Sequence, residues 1–170
     1  MLVATTLLVV AIAALVSLSA IATRANAAAK ATTIASLLAA QKMEQLLALT
    51  WGYDAFGRPI ADTTTDLSVV PPAIGSGAGL TASPAGVLGQ NTAGYCDFLD
   101  AAGTSLGGGT APPAPSAFVR RWSIQPLSSN PANALVLQVL VMRASRTSSG
   151  PVGPLHNEAA FVTVRTRSGT

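Results

Sequence analysis

Gly103-Thr104-Ser105-Leu106-Gly107 matches the G-x-S-x-G string of a serine nucleophile elbow. That chemistry needs a strand before the serine and a helix after it. Here an Ala/Gly segment precedes the string and a Gly/Pro run follows it, so no nucleophile is expected at Ser105. The single histidine, His156, lies among Gly150, Pro151, Gly153 and Pro154 and reads as a solvated loop residue. His156-Asn157-Glu158 imitates the start of a deaminase zinc motif, but the P-C-x-x-C partner is missing. Gly75-Ser76-Gly77-Ala78-Gly79 is glycine-rich without the Lys-Ser/Thr of a phosphate loop. Cys96 is the one cysteine, so it reads as a free thiol or an intermolecular link, and zinc by Cys/His clustering is excluded. These patterns predict no enzyme, no cofactor, no metal site and no small-molecule substrate.

The informative residues are the apolar ones. Hydrophobic residues make up 49% of the 170 and charged residues 10%, against about 25% charged in ordinary globular domains. The excess sits in the first fifty residues. Met1 to Thr23 carries no charged side chain, Arg24 is the first charge, and neither Pro nor Gly occurs before Gly52. Leu2, Val3, Leu7, Leu8, Val9, Val10, Ile12, Leu15, Val16, Leu18 and Ile21 supply the apolar surface. Such a run meets the roughly twenty residues a membrane span needs. A cleaved secretory signal is the competing reading, since Ala20-Ile21-Ala22 and Ala25-Asn26-Ala27 offer small-x-small sites, although no basic residue precedes the run.

The helix formers continue beyond Arg24, so one rod ending near Thr50-Trp51-Gly52 is expected, with Gly52 just past its end. Fifty helical residues would measure roughly 75 Å. In the second half, Ile34, Leu38, Leu46 and Leu49 fall on one side, Met43 and Leu47 nearly opposite, and Gln41, Lys42, Glu44 and Gln45 between them.

Leu2-Val3-Ala4-Thr5-Thr6-Leu7-Leu8-Val9-Val10-Ala11-Ile12, followed by Ala35-Ser36-Leu37-Leu38-Ala39-Ala40-Gln41-Lys42-Met43-Glu44-Gln45-Leu46, resembles the N-terminal helix of type IV pilin-like proteins. The nearest flavour is the minor pilins and the minor pseudopilins of type II secretion. The family's basic leader, cleavage glycine, following aromatic residue and N-terminal glutamate do not appear in this chain. The resemblance implies a structural subunit that waits in the bacterial inner membrane as a single-pass protein. Its head would be periplasmic, and it would then join a filament through lateral helix packing. The implied partners are the membrane and other pilin or pseudopilin subunits, and no nucleic-acid surface is expected. Arg24 and Lys30 follow the apolar run, so charge alone would place the following part in the cytoplasm. The family places it outside, and its leader carries the basic residues that set topology.

The implied fold is α+β: a long N-terminal helix, transmembrane half plus amphipathic half, packed on a small antiparallel sheet. Four segments follow, namely 1–24 for the membrane or filament-core half of the helix, 25–51 for its C-terminal half, 52–117 for a Gly/Pro-rich loop region and 118–170 for the sheet. Tyr95 to Leu99 reads as a short strand. Phe118 to Gln125 places Phe118, Arg120, Trp122 and Ile124 on one face. Leu135 to Met142 has the nearly continuous apolar character of a covered central strand, and Phe161 to Arg167 alternates. Helix-to-sheet packing is expected from Ile34, Leu38, Leu46, Leu49, Trp122, Val139 and Val162. The charges divide as well. The middle is acidic, through Asp54, Asp62, Asp66, Asp97 and Asp100, and the end is basic, through Arg120, Arg121, Arg143, Arg146, Arg165 and Arg167. That split reads either as solvated strand and loop residues, or as an attraction between subunits or toward an anionic ligand. The alternative function is therefore a secreted or membrane-anchored binding domain with an Arg-rich sheet.

Overall fold

A computed structural model of the chain describes residues 2–144 and 157–167, with side-chain surroundings for 12–144 and 159–167. The architecture is α+β. It has one long helix, α1 (Leu2–Ala48), a two-stranded ribbon β1 (Trp51–Tyr53) and β2 (Pro59–Ala61), and a five-stranded antiparallel sheet. The sheet holds β3 (Cys96–Leu99), β4 (Ser105–Gly108), β5 (Phe118–Pro126), β6 (Ala134–Arg143) and β7 (Asn157–Thr166), in the order β4-β3-β5-β6-β7. The chain divides into two units, Met1–Ile34 and Ala35–Thr170.

The first unit is helix alone. Alanine, leucine and the absence of Gly and Pro favour the conformation, and the polar side chains do not compete with it. Ser17 donates to the Ala13 carbonyl and Thr23 to the Ser19 carbonyl, each at 2.9 Å. These hydroxyls bond within their own helix, four residues back.

The second unit is the sheet with the last turns of α1 on one face and loops on the other. On the helix, Ala35, Leu38, Ala39, Lys42, Met43 and Leu46 are buried. The spacing i, i+3, i+4, i+7, i+8, i+11 is one clean stripe. This corrects the expectation of two opposed apolar sides. Met43 shares the stripe with Leu38 and Leu46, and the alanines let the helix lie close. Leu49 and Ile34 are half-buried.

Register settles the rest. Trp122 pairs with Val139, Ile124 with Leu137 and Arg120 with Val141, so these residues share the helix-facing side. On the opposite side Cys96, Phe98, Val119 and Met142 form a second buried cluster. The Gly/Pro-rich segment covers part of that side. The Ser83 hydroxyl lies 3.2 Å from that of Ser123, and Arg121 donates to Asn91 Oδ1 and the Leu88 carbonyl. β5 is therefore buried on both faces, which explains why it tolerates so few exposed side chains.

Three further corrections follow. Residues 52–117 hold more strand than the one expected at 95–99, which is β3, since they also contain β2, β4 and most of β1. Helix α1 ends at Ala48 and Gly52 lies inside β1, so Gly52 is no helix cap. The end of α1 is met instead by Arg165, whose guanidinium donates to the Leu46 carbonyl at 3.0 Å and the Leu49 carbonyl at 2.6 Å. A cation on the last carbonyls also suits the negative end of the helix dipole. Finally, Val162 is 63% exposed. It pairs with Gln138, and Thr163 with Leu137, so the polar positions of β7 turn toward the helix side and Val162 and Val164 turn away.

Candidate functional site

Two features remain once ordinary packing is accounted for: the apolar surface of the first unit and an ionic cluster inside the second.

Ile12, Leu15, Val16, Leu18 and Ile21 are each between 52% and 66% exposed. At 100° per residue they spread over about 220° of the helix, wider than one stripe, and the remaining arc holds the small residues Ala13, Ser17 and Ala20. A helix that is apolar all round belongs in a dry surrounding, a core or a membrane. Covering these five side chains would be worth on the order of 8–15 kcal/mol. From Ile12 to Thr23 no charge interrupts the surface, and the hydroxyls of Ser17 and Thr23 are already bonded to helix carbonyls. Those two hydroxyls meet the condition that hydrocarbon imposes, where an unsatisfied polar group costs several kcal/mol. By length and composition α1 is able to cross a membrane. Leu2, Val3, Leu7, Leu8, Val9 and Val10 lie on α1, but their side chains are outside the described residues.

The ionic cluster lies where the second unit's helix stripe meets the sheet. Asp97 on β3 receives Lys42 Nζ at 2.9 Å and Arg120 Nη2 at 2.7 Å on one carboxylate oxygen, and Arg120 Nε at 2.9 Å on the other. All three residues are 0% exposed. Arg120 Nη1 continues to the Leu38 carbonyl at 2.8 Å and to Gln41 Oε1 at 3.1 Å. Lys42 also donates to the Leu67 carbonyl and lies 4.4 Å from the centre of the Trp122 ring. The cluster thus joins α1, β3, β5 and the loop before Ser68. Burial pulls Lys42 from 10.5 down to about 8 against the opposing attraction of Asp97. In the sequence Lys42 stands only as one of the polar residues between the apolar sides of the helix. The signal that would have found it is its spacing, four residues from both Leu38 and Leu46.

The expected packing residues divide. Leu38, Leu46, Trp122 and Val139 are buried in the second unit, Leu49 is half-buried there, Ile34 belongs to the first unit, and Val162 lies on the opposite face.

The arginines are engaged with the protein itself. Arg120 is paired with Asp97, Arg121 is held by Asn91 and Leu88, and Arg165 sits on the helix end. Arg167 stacks 3.5 Å from the Trp51 ring centre and donates to the carbonyls of Gly52, Ile60 and Ala132. Arg146 is outside the described residues. The reading of these as solvated residues is therefore corrected for Asp97, Arg120 and Arg121, which are buried. Four of the six arginines that an anion-binding sheet would draw on are thereby engaged within the protein.

No family model, curated protein or solved structure matches this chain.

Ser105 opens β4 in a strand–strand hairpin with β3, and its Oγ accepts the Gly107 N–H at 3.3 Å, so the elbow geometry is absent from that segment. His156 lies outside the described residues. Among the described residues no group of three or more His, Cys, Asp and Glu side chains could hold a metal. Cys96 is buried, donates its S–H to the Gly109 carbonyl at 2.8 Å, and burial pushes its thiol up. An intermolecular link through this sulfur would require the sheet to open.

Gly108 explains part of the local sequence. A Cβ there would lie 2.4 Å from the Ser68 Cβ and 2.8 Å from the Cys96 carbonyl oxygen. Only glycine lets the 65–68 loop close over β4.

Proposed function

We propose that this chain is a membrane-anchored structural subunit of pilin-like design, a minor component of a type IV pilus or a type II secretion pseudopilus. The apolar part of α1 holds the protein in the bacterial inner membrane with the head in the periplasm. It then exchanges lipid for the helices of neighbouring subunits. The observation that carries this reading is the uncharged, all-round exposed surface from Ile12 to Thr23. Ala13, Ala14, Ser17, Ser19 and Ala20 lie among the large residues and would let helices approach closely. Burial without water is the whole mechanism, and it asks for no cofactor. The resemblance of the "AAQKMEQL" stretch to pilin-like helices supplies the filament part of the proposal.

A photo-crosslinking amino acid at Leu18, in cells that express the full chain, tests assembly. The expected products are covalent adducts whose partner peptides are themselves apolar N-terminal helices, from sister copies or other pilin-like subunits. Adducts to lipid alone would remove the filament from the proposal and leave an anchored protein that does not polymerise.

A further inference from the structure

Lys42, Asp97 and Arg120 bring two cations to one carboxylate, and none of the three side chains meets water. The sum is one positive charge in a dry place, where an unmatched charge is disfavoured. The guanidinium of Arg120 keeps its proton. The ammonium of Lys42 is the group able to discharge the excess. Every element packed against it contributes. β3 supplies Asp97, and β5 supplies Arg120 and the Trp122 ring. The preceding loop supplies the Leu67 carbonyl and, farther off, the carboxylate of Asp66. Burial and Arg120 favour loss of the proton, Asp97 and Asp66 oppose it, and burial is the largest influence.

We propose that this cluster makes the joint between residues 35–48 of α1 and the sheet a proton-sensitive latch, looser while Lys42 is charged and tighter once its proton has left. With the proton gone, Asp97 and Arg120 remain as a neutral pair with both carboxylate oxygens bonded. The lysine titrates at about 8 in the folded chain and at 10.5 as a free side chain. Between these values the unfolded chain holds a proton the folded chain has released, so stability rises with pH across that window. The gain is absent below about 8. The whole separation corresponds to about 300-fold in the unfolding constant. Cys96 and Tyr95, both pushed up by burial, act with the opposite sign above their ordinary values. They can mask the rise but not produce it.

The test is urea unfolding of the full chain in detergent micelles from pH 7 to 9.5, with amide-exchange protection of residues 35–48 followed in parallel. The wild type and a Cys96→Ser chain, in which the opposing thiol is gone, are compared with Lys42→Met. In the first two the unfolding constant is expected to fall at least about ten-fold over the range, with helix protection rising in step. Lys42→Met is expected to show no such fall, its constant staying level or rising where Cys96 titrates, and at pH 7 to be more stable than the wild type. A constant that stays level or rises in the Cys96→Ser chain overturns the latch, as does a Lys42→Met chain that keeps the wild-type slope. Should Lys42→Met fail to fold, the slope of the Cys96→Ser chain decides alone.

Discussion

Replacing Asp97 by alanine is expected to destabilise the head by about 3–5 kcal/mol, the toll of leaving buried cations without their counter-charge. Asp97 is the only anion bonded to Lys42 and Arg120 among the described residues, and all three lie out of water. Against the roughly 5–15 kcal/mol that holds an ordinary domain together, such a loss removes a large part of the margin. Asp97→Asn is expected to behave similarly, because the amide fills the same space without the charge. Adding Lys42→Met to Asp97→Asn should recover part of the loss, since one of the two stranded cations is then gone. The recovery should exceed the stabilisation that Lys42→Met gives by itself, and that excess is the mark of a shared network. Urea midpoints of the wild type, Asp97→Asn, Lys42→Met and the double variant measure it. A loss below about 1 kcal/mol for Asp97→Asn, or strict additivity in the double variant, would show that the three side chains do not act together.

The second large effect concerns the first unit. Leu15→Arg together with Leu18→Arg is expected to release the protein from membranes. A single arginine near the centre of a spanning helix costs about 2.5–3.5 kcal/mol, so the pair costs about 5–7 kcal/mol. Both leucines are more than 60% exposed, and neither contributes to the buried core. The head should therefore keep its urea midpoint while the membrane-bound fraction collapses. Leu37→Arg is the matched control. Leu37 is 67% exposed on the same helix but lies beyond Thr23, in the second unit. Its substitution should leave retention after alkaline washing unchanged. Equal loss from both variants would mean that exposed apolar area in general, and not the Ile12–Thr23 stretch, governs the membrane-bound fraction.

What could be read from the sequence, and what could not, follows from the range of the interactions. The helix was legible because its signals are local: no glycine, no proline and an uninterrupted run of good formers. β5, β6 and β7 were legible within a few residues because apolar patterning and turn residues mark them. The side of β7 that faces inward was misread. Val162 and Val164 look like core residues, yet pairing with β6 gives Thr163 and Arg165 the helix side, where Arg165 meets the end of α1. No local rule supplies that, since the partner lies more than a hundred residues away. The ionic cluster was hidden for the same reason. Lys42, Asp97 and Arg120 come from three distant segments, and each alone looks like a surface residue. Arg120 gave the one available hint, by sharing a strand face with Phe118, Trp122 and Ile124. β4 went unread because Ser105-Leu106-Gly107-Gly108 has poor strand propensity. Its place comes from pairing with β3 and from the close approach of Ser68 to Gly108.

The head and the helix end are accounted for by packing and hydrogen bonding within the second unit. The surface from Ile12 to Thr23 is not, and the proposed role rests on its being retained and covered by something other than water. The most direct measurement is peptide mapping by mass spectrometry of the mature protein, recovered separately from alkali-washed membranes and from the soluble fraction of its own cells. The account predicts that the mature chain is found in the membranes with the Ile12–Thr23 peptide present. A mature soluble form that begins at Arg24 or Ala28, with that peptide missing, would contradict it.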